Sequence, residues 1–171
     1  ANDYRKNLPI ILLTKGLAIV ENELVTLSDK IKKLLLEKGH KEVNISAIKG
    51  PCLAAGLANK MRTGTVIANP NIKEAQMLKK IIATNYYSTE ISNDLIGVEL
   101  SSAIKNIYSM LIGASEGLSN SNAPKEIKSK YYLNTSASLI HRSISEMVEF
   151  VSNYGGRAET VYGLAGLGDL Y

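Results

Sequence analysis

The stretch Leu95-Ile96-Gly97-Val98-Glu99-Leu100-Ser101-Ser102-Ala103-Ile104-Lys105-Asn106-Ile107-Tyr108-Ser109-Met110-Leu111-Ile112 decides how the chain is read. Its leucines, isoleucines, valine and alanine fall nearly all round a helical wheel, which predicts a buried helix rather than a surface one. Gly97, Ser101, Ser102, Ser109 and Gly113 lie along it, small enough to let neighbouring backbones approach. Working downstream, Ser119 to Lys130 is polar, with Asn122 and Pro124, and reads as a connecting segment. Thr135 to Tyr154 is a second helix, with Gly155-Gly156 as its stop. Tyr162 to Tyr171 is a glycine-punctuated turn leading toward more helix. From Asn93 onward no segment has a convincing strand pattern.

Upstream of Asn93 the pattern is different. Leu8 to Leu13 reads as a buried strand, followed by Thr14-Lys15-Gly16. Ser28 is placed to cap a helix over Asp29 to Lys38, with Ile31, Leu34 and Leu35 inward and Gly39 as its stop. Val43 to Ile48 is a second strand, and Leu53 to Met61 a short helix rich in small residues. Thr65 to Ala68 is a third strand, Asn71 caps a helix over 72–83, and Asn85 to Thr89 is a fourth strand. Strands separated by helices imply a mostly parallel sheet with crossover connections. The fold class expected is therefore α/β followed by all-α, with the boundary at residue 93: an α/β domain over 1–93 and a helical domain over 94–171.

The totals narrow the function classes. The chain has 171 residues, 45% hydrophobic and 21% charged, which suits a globular fold rather than disorder. The net charge of +4 comes from scattered lysines and arginines. The densest group, Lys30, Lys32 and Lys33, shares its helix with Asp29 and Glu37 and reads as a solvated face. The tyrosines, including Tyr86-Tyr87 and Tyr131-Tyr132, do not interleave with basic residues as a nucleic-acid platform would, so none is expected. A single cysteine, Cys52, builds neither a disulfide framework nor a cysteine metal site, and fits a cytoplasmic setting. No segment reaches the ~18 consecutive apolar residues of a membrane span. His40 and His141 lack ligand spacing, so no metal site is expected.

Three features carry chemistry. Lys105-Asn106 sits inside the helix expected to be buried. A lysine at that depth either finds a partner and serves in proton transfer, or snorkels out along its own stem. Two strands end in Thr14-Lys15-Gly16 and Lys49-Gly50-Pro51-Cys52. Ligands of open α/β sheets bind beyond the carboxyl ends of strands, although glycine and proline there are also ordinary turn formers. Gly163-Leu164-Ala165-Gly166-Leu167-Gly168-Asp169-Leu170 lacks the spacing of a dinucleotide loop, and no strand precedes it. It either presents Asp169 in a fixed place or uses it as a helix cap. Arg142 and Glu146, four apart on a helix, are expected to pair.

Taken in order, these blocks resemble the NAD(P)-dependent glycerol-3-phosphate dehydrogenase family in its bacterial and archaeal form. The resemblance is carried by Gly97-Val98-Glu99-Leu100, Ala103-Ile104-Lys105-Asn106-Ile107 and Gly113 with Glu116-Gly117-Leu118. It continues through Asn134, Ala137, Leu139-Ile140-His141-Arg142, Glu146-Met147 and the Gly163 to Leu170 block. Upstream, Thr14-Lys15-Gly16 and Gly50-Pro51-Cys52-Leu53-Ala54 match in order and spacing. The resemblance implies part of a Rossmann-type sheet joined to a helical substrate domain. It implies hydride transfer between NAD or NADP and the pair glycerol 3-phosphate and dihydroxyacetone phosphate. Lys105 would be the general acid/base. Lys15, Gly50, Cys52, Asn106 and Asp169 would bind substrate, and Lys15 and Ala54 would meet the cofactor.

The chain also departs from the family pattern. Lys49-Gly50-Pro51-Cys52 stands where Ser-Gly-Pro-Ser or Ser-Gly-Pro-Thr is usual, and a thiol is a weaker donor than a hydroxyl. Ala55-Gly56 stand where a glutamate usually follows. The family's glycine-rich pyrophosphate turn and the Arg-Asn pair after Gly-Asp-Leu are missing, so the chain reads as a fragment with little activity of its own. Two other readings stay open: a related β-hydroxyacid or ketopantoate-type dehydrogenase, and a non-catalytic interaction or oligomerisation module derived from the family. A homo-oligomer is compatible with each.

Overall fold

The computed structural model describes residues 8–120, 124 and 133–170. Among the described residues there are six strands: β1 (Ile10–Leu12), β2 (Leu17–Val20), β3 (Glu23–Thr26), β4 (Ile45–Lys49), β5 (Thr63–Ala68) and β6 (Tyr87–Ser92). The helices are α1 (Leu27–Glu37), α2 (Ala54–Ala58), α3 (Ile72–Ile82), α4 (Leu95–Asn120), α5 (Leu133–Asn153), α6 (Ala158–Val161) and α7 (Leu167–Leu170). The four strands read from the sequence are all found, as is the cap of α3, where the Asn71 side chain accepts from the Lys73 amide. Ser119 to Lys130, read as a connecting segment, lies mostly outside the described residues; α4 runs to Asn120.

The main sheet has the order β1-β4-β5-β6. β1 and β4 are parallel, as are β5 and β6, but β4 and β5 run antiparallel. The sheet is thus mostly parallel, as expected, but no crossover joins β4 to β5, and chain length explains it. A parallel return must carry the chain back along the whole strand, about 17 Å. The only helix between these strands, α2, has five residues and spans about 7.5 Å.

Both faces of the sheet are covered. Ala47, Val66 and Ala68 pack on Leu95 and Val98 of α4 and on Ala165. Ile48 and Ile67, pointing the other way, meet Ala75 and Leu78 of α3. Burial on both faces is why the strands read as continuous apolar runs. A third cluster joins α4 to α5 and α6 through Leu100, Ile104, Met147, Val151 and Val161.

Three local expectations are corrected. Residues 17–26 form an unforeseen hairpin whose two-residue turn, Glu21-Asn22, has φ of 53° and 67°. That is the double left-handed turn whose twist suits hairpins, made here without the glycine that would have signalled it. The cap of α1 is Thr26, whose hydroxyl accepts from the Asp29 amide, not Ser28. Ser28 lies in the first turn, its amide and hydroxyl both donating to the Glu99 carboxylate. Leu34 faces outward, 46% exposed, and Leu35 alone of its group is fully buried.

The long helix is buried unevenly. Its first half is enclosed, whereas Ile107, Met110 and Leu111 are exposed. By length and composition Leu95–Leu118 would suffice to cross a membrane. It carries Glu99, 2% exposed, and Lys105, both bonded to protein groups, so it serves here as the core helix of the fold. Its start is fixed by Asp94. One carboxylate oxygen accepts from the Gly97 amide, and the other from the Arg157 amide and the Thr160 hydroxyl at the start of α6.

Candidate active site

Because β1 and β4 are parallel, their carboxyl ends open on the same edge of the sheet. Thr14, Lys15 and Gly16 leave that edge from β1, and Lys49 and Gly50 end β4 on it. α4 brings Lys105 to the same place, and the Gly163 to Leu170 segment closes over it. The approach is tight: a Cβ on Gly166 would lie 2.1 Å from the Val161 carbonyl oxygen. No larger residue fits that turn, and the turn is what delivers Asp169.

Asp169 is the centre of the arrangement. It is 7% exposed, and each carboxylate oxygen meets an ammonium. Oδ2 lies 2.5 Å from Lys15 Nζ, 154 residues away in the chain. Oδ1 lies 3.0 Å from Lys105 Nζ, which also donates to the Asp169 carbonyl at 2.5 Å. The Lys105 side chain is 13% exposed and that of Lys15 33%. Lys105 therefore has the partner that a lysine at this depth needs, rather than snorkelling to water. Asp169 is engaged by two ammonium groups and does not cap a helix through its carboxylate. Ser109 steadies the contact between the two helices, its hydroxyl shared between the carbonyls of Lys105 and Leu170, each at 3.1 Å.

Beside this group lies a cavity of about 510 Å³, lined by Lys105, Ser109, Ile112, Gly113, Asp169 and Leu170 among others. A larger cleft of about 750 Å³ opens on the opposite edge of the sheet, around Asn44, Asn69, Asn93 and Asp94. None of the residues singled out from the sequence for chemistry borders that second cleft.

The remaining predicted site residues stand around the edge. Gly50 has φ +134°, and a Cβ there would lie 3.1 Å from Thr65 Cα and 3.2 Å from the Gly64 carbonyl oxygen. The turn after β4 thus requires glycine on two counts. Asn106 follows Lys105 and is exposed. Cys52 is half-buried, and Ala54 is exposed at the first position of α2. Neither shares a hydrogen bond or ion pair with the Lys15, Asp169 and Lys105 group. The Arg142–Glu146 pair forms at 2.8 Å on an exposed face of α5. Among the described residues no group of His, Cys, Asp and Glu is arranged to hold a metal ion.

Two charged residues of the site were quoted within sequence motifs but given no individual role. Lys49 is 3% exposed, and its ammonium donates to the Thr14 carbonyl at 2.5 Å. Burial pushes it below the ordinary lysine value; Glu99 and Asp169 pull it back up, and the charge of Lys15 adds to the depression. Glu99 is the opposite case. Burial pushes its carboxyl above the usual range, against hydrogen bonds from Ser28 and the charge of Lys49. The signal available in the sequence was the one used for Lys105: a charged residue interrupting a run meant for the interior, at the end of the second strand and in the first half of the long helix.

With this geometry in place, comparison with known proteins is informative. Residues 94–171 match the family described as NAD-dependent glycerol-3-phosphate dehydrogenase C-terminus. Over 167 residues the chain is 34% identical to the NADP(+)-dependent glycerol-3-phosphate dehydrogenase of Archaeoglobus fulgidus, covering 98% of this chain and 47% of that protein. It is 32% identical over 165 residues to the glycerol-3-phosphate dehydrogenase (NAD(P)+) of Rhizobium johnstonii, covering 96% and 45%. The crystal structure of glycerol-3-phosphate dehydrogenase from Coxiella burnetii superposes with a TM-score of 0.74 at 31% identity, over 97% of this chain and 45% of that one. The chain spans about half the length of the curated relatives it matches. Residues 94–171 thus belong to the family of NAD-dependent glycerol-3-phosphate dehydrogenase C-terminal domains, and over nearly its whole length the chain is similar to NAD(P)-dependent glycerol-3-phosphate dehydrogenases.

Proposed function

We propose that this chain carries the substrate-binding and proton-handling part of a glycerol-3-phosphate dehydrogenase, acting between dihydroxyacetone phosphate and glycerol 3-phosphate with NAD or NADP. The observation that supports it above all is the convergence of Lys15 and Lys105 on Asp169. Two ammonium groups against one carboxylate leave net positive charge at the edge of the sheet, with buried Lys49 behind it. That field favours an anionic phosphate ester.

In the reducing direction Lys105 donates a proton to the ketone oxygen, and in the oxidising direction it takes the hydroxyl proton back. Lys15 polarises the carbonyl through its charge. Asp169 holds both ammonium groups in register and orients the substrate hydroxyl. Exposed Asn106, the Gly50 turn and Cys52 border the substrate. The residues present suit the nicotinamide end of a cofactor. Lys15 is a third exposed, and Ala54 and Ala55 are exposed without bulk beside the Gly50 turn. When bound, the nicotinamide supplies or accepts the hydride. On this reading residues 1–93 belong to the dinucleotide-binding domain and 94–171 to the helical substrate domain, a division supported by the family match that starts at residue 94. The setting is cytoplasmic.

The test is oxidation of NADH and NADPH with dihydroxyacetone phosphate, run on the intact polypeptide carrying this chain and on its Lys105→Ala variant. Turnover by the parent and a loss of at least about 100-fold in the variant, the scale of general acid/base catalysis, with the circular dichroism unchanged, is the expected result. Parent and variant rates that agree defeat the assignment of Lys105, and inactivity of both defeats the dehydrogenase reading for this chain.

A further inference from the structure

We infer that Lys49 is a positioning residue for Lys15: its ammonium clamps the peptide that precedes Lys15 and so aims that side chain at Asp169. The inference rests on the reading above, in which Lys15 serves the substrate.

The register makes the case. β1 pairs with β4 at a constant offset, the last pair being Leu12 with Ala47. Two residues further along, the same offset would pair Thr14 with Lys49. The ladder has stopped by then, because β1 ends at Leu12. At that position the Lys49 side chain supplies a bond where the backbone supplies none, donating to the Thr14 carbonyl at 2.5 Å. The Thr14 carbonyl and the Lys15 amide nitrogen belong to one peptide plane. Holding that oxygen therefore fixes the plane from which Lys15 departs. On the far side of Lys15 the chain swings away at Gly16, φ +143°, and enters the separate hairpin at Leu17. Gly50 passes close against the backbone of β5 and keeps the Lys49 end rigid.

The location is an unusual one for a charge. Lysine is almost never fully buried without an ionic partner. Among the described residues the hydrogen-bond acceptor of Lys49 is a neutral carbonyl, while Glu99 of α4, Lys15 and Asp169 of α7 act on it through their charges. A lysine retained at 3% exposure on a single carbonyl carries a desolvation cost that a neutral strand end would avoid. What it secures in return is the direction of the ammonium 2.5 Å from Asp169.

The test is nuclear magnetic resonance of lysine side-chain ammonium groups, in the chain without substrate or cofactor. In the parent, a through-hydrogen-bond coupling is expected between Lys49 Nζ and the Thr14 carbonyl carbon, together with slowed hydrogen exchange at the ammonium groups of Lys15 and Lys105. In Lys49→Met, exchange at Lys15 should rise at least about tenfold, the scale of losing one hydrogen bond to local opening. Lys105 should keep its protection, showing that the fold and the Lys105–Asp169 contact persist. Lys49→Arg, which retains a donor, should restore most of the Lys15 protection. Unchanged Lys15 exchange in Lys49→Met overturns the inference. So does the absence of the Lys49–Thr14 coupling in the parent, a result that stands even if the variant does not fold. These signals are read without turnover, so an inactive protein with intact coupling defeats the functional reading alone, and an active one with independent Lys15 defeats this inference alone.

Discussion

Replacing Asp169 by asparagine tests whether one carboxylate holds the site together. The substitution keeps the size of the side chain and removes its charge, leaving an amide nitrogen facing an ammonium. Two contacts are lost unequally. Lys105, 13% exposed, loses a charge-assisted bond at 3.0 Å but keeps the Asp169 main-chain carbonyl; hydrogen bonds to charged groups are worth about 1.5–3 kcal/mol, and about 2 is taken for this one. Lys15, 33% exposed, regains water when released, so its share is nearer the about 0.5 kcal/mol of a surface pair. The total, about 2.5 kcal/mol, falls just below the about 3–5 kcal/mol seen when one partner of a fully buried pair is removed. For a chain of this size that corresponds to a fall in melting temperature of about 5–10 °C. Urea unfolding followed by far-ultraviolet circular dichroism measures it directly, with the slope of the transition required to stay constant. The exposed Arg142–Glu146 pair supplies the control, since Arg142→Ala should cost no more than about 0.5 kcal/mol. A loss for Asp169→Asn no larger than that of the control would mean that both lysines are effectively hydrated and that Asp169 does not organise the site.

Two further outcomes follow from the same edge. Gly50→Ala should lower stability by at least about 1–3 kcal/mol, the cost of a side chain forced into a glycine-only conformation, increased by its contacts at 3.1 and 3.2 Å with β5 backbone; an unchanged urea midpoint would refute it. Glu99→Gln should alter the pH dependence of stability. Burial raises the Glu99 carboxyl above its ordinary value of 4.5, so its contribution is fully present below that value and is lost as pH rises through the folded-state value. Glutamine cannot ionise and keeps an acceptor for Ser28. The stability of the variant relative to the parent should therefore climb as pH is raised from the acid side to neutrality, and a difference independent of pH would contradict the assignment.

Much of the fold was legible because burial leaves periodic marks. The apolar runs at 8–13, 43–48 and 65–68 became β1, β4 and β5, since strands covered on both faces have no polar side to display. Asn71 was read correctly as a cap because its chemistry is local. The hairpin at 17–26 escaped because its turn is Glu21-Asn22 rather than a glycine pair, and the tertiary structure holds both residues at positive φ. The direction of β5 escaped for another reason. Hydrophobic pattern identifies a strand but does not say which way it runs, and only the shortness of α2 could have argued against a crossover.

The site shows the same division between local and distant causes. Lys105 and Asp169 could be picked out because each breaks a pattern, one in an apolar helix and the other at the end of a glycine series, though their meeting at 3.0 Å is a tertiary fact. Lys49 and Glu99 break patterns just as plainly, and both proved buried, at 3% and 2% exposure. A charged residue at a strand end, however, reads naturally as a solvated turn, and one in a helix as a polar stripe. What distinguishes the buried cases is the supply of partners: Ser28 from another element for Glu99, and for Lys49 the Thr14 carbonyl, left free because its strand ended two residues earlier. Such partners come from chain geometry at a distance. The charged groups Lys15, Lys49, Lys105, Asp169 and Glu99 therefore form one assembly that no window of sequence contains, three lysines against two carboxyl groups, one of which burial pushes toward its neutral form, and that balance supports the anionic ligand proposed for this edge.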